Sequence, residues 1–219
     1  LTAWAILFLY PGASAHAKLN VVTTTIDLAA LVRAVGGDAV EVHSIVRGVQ
    51  DPHYIDAKPS HMRRLNRTNL LVAVGLQLEI VWLPLLINGA RNPGIVPGSQ
   101  GYLDASQGLP VLEVPSGQID RSQGDIHPEG NPHFWLDPCN ALAIAERITE
   151  RLSSLSSGDG DLFQANLAAF QDRLEKRIAA WEKRMSPFRE RKVVAYHKQW
   201  EYLAHWLDLT IIGYVEDKP

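Results

Sequence analysis

DGDLFQANLAAFQDRLEKRIAAWEKRMS, residues Asp159 to Ser186, carries the strongest periodic signal in the chain. Phe163, Leu167, Phe170, Leu174, Ile178, Trp181 and Met185 recur at spacings of three and four, which is one face of an α-helix. Ser157-Gly158 precedes the run and Pro187 stops it. At ~1.5 Å per residue the helix runs roughly 40 Å, longer than a crossover helix needs. Such a rod can cross a whole molecule and join two lobes stiffly. Coiled-coil pairing is the plainer alternative, but the heptads are few and no neighbouring segment supplies a partner.

Beyond Pro187 a new unit begins: strand Lys192–Tyr196, helix Gln199–Leu207, strand Thr210–Tyr214. One βα unit plus a strand cannot bury its own apolar faces, so this segment reads as the opening of a second lobe that is cut short. Before the long helix, strands and helices alternate. Leu19–Thr24 reads as a strand and Ile26–Val35 as a helix ended by Gly36-Gly37. Val40–Val46 is the next strand, and Lys58–Arg67 a short helix with Ser60 as a candidate N-cap. Leu70–Val74 is a third strand, Leu78–Asn88 a helix disturbed by Pro84, and Val111–Val114 a further strand. Alternation of this kind predicts parallel βαβ units, whose ligands collect at the carboxyl ends of the strands. The fold expected is α/β, two parallel-sheet lobes joined by one long rigid helix. Its segments are a leader over 1–17, a first α/β lobe over 18–157, the connecting helix over 158–187, and the incomplete second lobe over 188–219.

Leu1–Tyr10 is apolar, is broken by Pro11-Gly12, and leads into Ala13-Ser14-Ala15-His16-Ala17. This matches the hydrophobic region and small-residue cleavage site of a signal peptide, and the run is shorter than the ~18 residues a membrane span needs. It begins with Leu and carries no basic leading segment, so the expectation is that the leader is partial. The single Cys139 excludes an internal disulfide and lies far from the cleavage site, so no lipid-anchoring cysteine is visible. It is expected in the first turn of a helix as a small buried residue. A net charge of −3 with interspersed signs points away from nucleic acid and from anionic membrane surfaces.

The chemistry is carried by histidines. His53 stands in Asp51-Pro52-His53-Tyr54, His133 in Asn131-Pro132-His133-Phe134-Trp135-Leu136-Asp137-Pro138, and His197 in Tyr196-His197-Lys198. Imidazole is the commonest side-chain ligand of borderline divalent metals, and a proline before two of these rings restricts the backbone leading into them. Ligands dispersed over separate loops imply a site assembled by the fold, and the reading is an exported, zinc-type metal binder. Asp51, Glu129 and Asp137 lie close in sequence to these rings and are candidates to hold them through their second nitrogens, although a turn or helix-cap role is the plainer reading of each. His127, six residues before His133, is a candidate accessory ligand. His16, His43, His61 and His205 read as structural or incidental. Glu79 is expected to open the helix after the third strand.

With these residues on the page, the chain resembles the substrate-binding proteins of zinc and manganese ABC importers. The resemblance covers Leu19 to Pro219 and is carried by Asp51-Pro52-His53, Lys58-Pro59-Ser60, the Asn131–Pro138 stretch and Tyr196-His197-Lys198. It implies two α/β lobes joined by one long helix, with a metal in the cleft between them. His53 and His133 would come from the first lobe, His197 from the second, and a carboxylate beyond Pro219 would be the fourth ligand. It further implies a periplasmic monomer that delivers its metal to an ABC permease. Three imidazoles and a carboxylate suit Zn²⁺, whereas Mn²⁺ favours more oxygen; relatives preferring manganese tend to carry a carboxylate at the third histidine, so His197 argues for zinc. The competing reading is a zinc hydrolase with an open three-histidine site and Glu129 as base, although no HExxH helix is present. A surface adhesin on the same scaffold is a third reading, disfavoured by the missing anchor cysteine.

Overall fold

The computed structural model describes residues 17–117 and 127–215. The export-signal reading, with His16, therefore falls outside the described residues apart from residue 17. Among the described residues no helix is long and apolar enough to cross a membrane.

Four strands build the first sheet: β1 (Leu19–Thr23), β2 (Val40–Ser44), β3 (Leu70–Ala73) and β4 (Tyr102–Asp104). Their order is β2-β1-β3-β4 and every pairing is parallel. The chain leaves β1 in one direction to reach β2 and in the other to reach β3, so the order reverses beside β1, and ligand crevices open at the carboxyl ends of strands near such a reversal. β3, at Leu-Leu-Val-Ala, is buried at all four positions, as a strand covered on both faces must be.

Two layers of helices cover this sheet. On one face lie α1 (Ile26–Gly36), α4 (Pro138–Leu155) and the first half of α5 (Gly160–Met185), closing a core around Val21, Leu28, Val32, Leu70, Val72, Ile144, Ile148, Phe163 and Leu167. On the other lie α2 (Pro59–Asn66) and α3 (Leu83–Ala90), packed over Val22, Leu65, Leu71, Trp82, Leu86 and Ile95. α1 begins at Thr25, whose hydroxyl accepts from Leu28 N, and it stops at Gly37, where φ is +53°. α4 is capped by Asp137, which accepts from Cys139 N.

α5 confirms the long helix, at 26 residues. Its apolar stripe divides between two tasks. Phe163 and Leu167 are buried in the first core, whereas Trp181 sits edge-on to Trp206 at 6.3 Å and Glu182 accepts from Trp206 Nε1 at 3.2 Å. Trp206 closes α6 (Glu201–Trp206), the helix between β5 (Lys192–Ala195) and β6 (Thr210–Tyr214). These two strands form the second sheet, parallel, with a register shift between Val193 and Val194.

Several local expectations are corrected. Val111–Val114 is not a strand: Glu113 takes φ +55°, and Leu112 spends its backbone groups on Tyr202 and Asn131 rather than on a ladder. β4 lies earlier, at Tyr102. The helix expected from Leu78 starts at Leu83 instead, because Pro84 fits only a first turn. Glu79 therefore opens no helix. It is 4% exposed, and its carboxylate accepts from Val74 N (2.7 Å) and Gly75 N (3.2 Å), tying off the end of β3. Ser60 is not an N-cap, since Pro59 already occupies the first helical turn and Lys58 holds the cap position. Cys139 is in the first turn of α4 as expected, but it is exposed.

Candidate metal centre

His53 lies in the segment leaving the carboxyl end of β2. Asp51 shapes the turn: its Oδ1 accepts from His53 N at 2.9 Å and contacts His53 Nδ1 at 2.7 Å. One carboxylate oxygen thus fixes both backbone and ring. Burial pushes the Asp51 carboxyl up, but the two contacts with His53 and its charge outweigh this and hold it below its ordinary value. From behind, Trp82 (1% exposed) donates Nε1 to Pro52 O at 2.9 Å. The other ring nitrogen, His53 Nε2, is buried and has no hydrogen-bond partner among the described residues. An imidazole nitrogen withdrawn from water and left unsatisfied is costly unless something else occupies its lone pair.

His133 is held by its backbone. Gly130, at φ +105°, turns the chain so tightly that a Cβ there would strike the Val111 side chain. Asn131 Oδ1 then accepts from His133 N at 2.9 Å, an Asx turn, and a short 3₁₀ segment, Phe134–Leu136, follows. Phe134 is buried in the first core, and Asn140 Nδ2 donates to its carbonyl at 3.0 Å, so the motif is pinned from below. Trp135 stands edge-on to the His133 ring at 5.1 Å. Burial, followed by the neighbouring His53, His127 and His197, pushes the His133 imidazole down to about 3. It is therefore neutral at physiological pH, which is the form that binds metal.

The structure brings together three of the histidines singled out. His53 stacks on His127 at 5.3 Å and 27°, and meets His133 edge-on at 5.5 Å. His127, ranked as accessory from sequence, thus lies against His53. His197, half-buried just after β5, packs on Tyr196 at 5.8 Å. The centre is gathered but not closed: among the described residues, no three His, Cys, Asp or Glu side chains form a group that could hold a metal ion as they stand.

Asp51 makes a ring contact, with His53 Nδ1. Asp137 caps α4, and Glu129 accepts from Gln77 Nε2 at 2.9 Å. His43 is on β2, 3.1 Å from Arg47 Nη2, and His205 is exposed on α6. Sequence reasoning missed Trp82, Tyr202 and the double duty of Asn131, whose contacts span 30 to 90 residues and leave no local pattern.

A family model described as ZnuA, the periplasmic component A of zinc-uptake complexes, matches residues 21–218. Among similar proteins, the manganese ABC transporter substrate-binding lipoprotein PsaA of Streptococcus pneumoniae is 31% identical over 166 residues, covering 74% of this chain and 50% of its own length. The metal ABC transporter substrate-binding lipoprotein FimA of Streptococcus parasanguinis is 29% identical over 168 residues, 75% of this chain and 51% of that one. This chain therefore spans about half the length of either. A crystal structure of a ZnuA deletion mutant with zinc bound superposes with a TM-score of 0.76 at 28% identity, covering 90% of this chain and 69% of that one.

Proposed function

This chain belongs to the family of ZnuA, the periplasmic component of zinc-uptake complexes, and on that premise we propose that it captures a divalent transition metal outside the cytoplasm and passes it to the permease of an ABC importer. It performs no turnover; the metal is cargo. His53, His133 and His197 are its ligands, with His127 as an accessory ring on the face of His53. Asp51 orients His53.

One observation carries this reading: His53 is fixed at Nδ1 by a carboxylate while its buried Nε2 has no partner among the described residues. Carboxylate–histidine–metal is the arrangement in which an outer carboxylate sets the ring and raises the basicity of the ligating nitrogen. The proximity of the His53 and His133 rings, 5.5 Å apart, supports it further. The hydrolase reading finds no comparable support, because Glu129 is engaged by Gln77.

Zinc is the cargo we favour. Imidazole nitrogens are borderline donors that suit Zn²⁺ better than oxygen-seeking Mn²⁺. The names of the relatives divide, PsaA being called a manganese protein and the superposed ZnuA having zinc bound, and the proposed donor set is what supports zinc here. Both PsaA and FimA are called lipoproteins, so the expectation of an unanchored protein is not carried forward. The test is to offer the full chain equal zinc and manganese, remove the unbound metal, and count what stays. Zinc in clear excess is expected; manganese in excess would overturn the zinc reading.

A further inference from the structure

Where α6 and its neighbours meet the loops of the first lobe, the side chains are polar and closely paired. Tyr202, on α6, is 2% exposed and lies within the core of the first lobe. Its hydroxyl accepts from Leu112 N at 3.0 Å and donates to Asn131 O at 2.9 Å. Asn131, 7% exposed, sends its side-chain Nδ2 to two carboxylates at once: Glu113 Oε2 at 2.9 Å and Glu201 Oε2 at 3.2 Å. Each carboxylate is tied again. Glu113 Oε1 meets Lys198 Nζ at 2.7 Å, and Glu201 Oε1 accepts from Tyr214 OH at 2.6 Å. Leu112, Glu113 and Asn131 belong to the first lobe; Lys198, Glu201, Tyr202 and Tyr214 belong to the second.

We propose that this network is a latch between the lobes that sets the separation of His133 from His197 before any metal arrives, with Asn131 and Tyr202 as positioning residues for the metal centre. The chain connectivity forces the coupling. Asn131 fixes His133 N through its Oδ1 while its Nδ2 grips Glu201, and Lys198 is the residue next to His197. A displacement of α6 is therefore transmitted to both rings. The centre of the network, Asn131 and Tyr202, is buried, so breaking their contacts leaves polar groups unpaired away from water, while Glu113 and Lys198 lie at the exposed rim. The donor arithmetic is specific: two carboxylates face one amide, which works only while that amide donates. The inference rests on the metal reading above.

The test uses the full chain, with exposed Cys139 changed to Ser and spin labels at Arg63 on α2 and His205 on α6. Asn131→Asp keeps the oxygen that holds His133 N but turns a donor toward Glu113 and Glu201 into a third carboxylate. Tyr202→Phe removes only the hydroxyl. In metal-free protein both variants should broaden the label-to-label distance distribution, and zinc dissociation constants should rise roughly tenfold for Tyr202→Phe and more for Asn131→Asp. Adding Glu113→Gln and Glu201→Gln to Asn131→Asp restores donor facing acceptor, and should recover both readouts. Unchanged distances, or broadened distances with zinc affinity within about twofold of the parent, would each overturn the latch. A parent chain with no tight zinc would instead refute the metal reading, an outcome visible before any variant is made.

Discussion

The two sheets differ in how they are supported, and the proposed metal centre draws on both. β3 is buried at all four positions and the first sheet is helix-covered on both faces, whereas in β5 only Ala195 is buried and Val194 stays 60% exposed. His53 follows β2 of this sheet, and His133 precedes α4, which packs on its core. His197 stands on two strands, one short helix, the end of α5 and a polar latch.

The largest effect expected from breaking this contrast lies in the better supported sheet. Leu71→Ala, fully buried in β3, should lower unfolding free energy by about 2–5 kcal/mol. Val194→Ala, on the exposed second sheet, should change it by no more than ~0.5 kcal/mol. Denaturant unfolding measures both, and equal losses would erase the distinction between the sheets. Next, Asp51→Asn should weaken zinc binding by about 10–100-fold, because the ring of His53 loses its orienting carboxylate. Competition against a chromophoric chelator reads this, and an unchanged affinity would remove Asp51 from the centre. Trp82→Phe deletes the hydrogen bond to Pro52 O and leaves a cavity where the second ring of the buried indole lay. It should cost about 1–3 kcal/mol of stability, with only a small loss of zinc affinity in the same titration.

The smallest effect concerns pH. Burial, then Arg64, Arg47, His61 and Arg33, push His43 down to about 4. The folded value lies below the ordinary 6.5, so between the two the unfolded chain binds more protons and stability rises with pH. The contribution is full above about 6.5 and is lost as pH falls toward 4. NMR titration of the His43 ring should show the low midpoint, and His43→Gln should flatten the acid side of the stability profile. A midpoint near 6.5 would contradict the burial argument.

What could be read from sequence follows from how local each signal is. The helix over Gly160–Met185, the strand Thr210–Tyr214 and the C-terminal stop at Gly37 are set by residues within a turn or two of one another, and they were legible. Asp51 and His53 are two residues apart, so their pairing could be nominated. Val111–Val114 misled because β-branched residues signal an extended chain but not the partner that makes it a strand. Cys139 misled because the helix face it occupies depends on what α4 packs against. The stacking of His127 on His53, the anchor at Trp82 and the latch through Tyr202 join residues distant in sequence, and no periodicity encodes them.

The most direct measurement is a competitive zinc titration of the full chain beside His53→Ala, His133→Ala, His197→Ala and His127→Ala. One tight zinc per chain is predicted, lost in each of the first three variants and weakened far less in His127→Ala. Undiminished binding in the first three, or an equal loss in all four, would contradict the assignment of the centre to His53, His133 and His197.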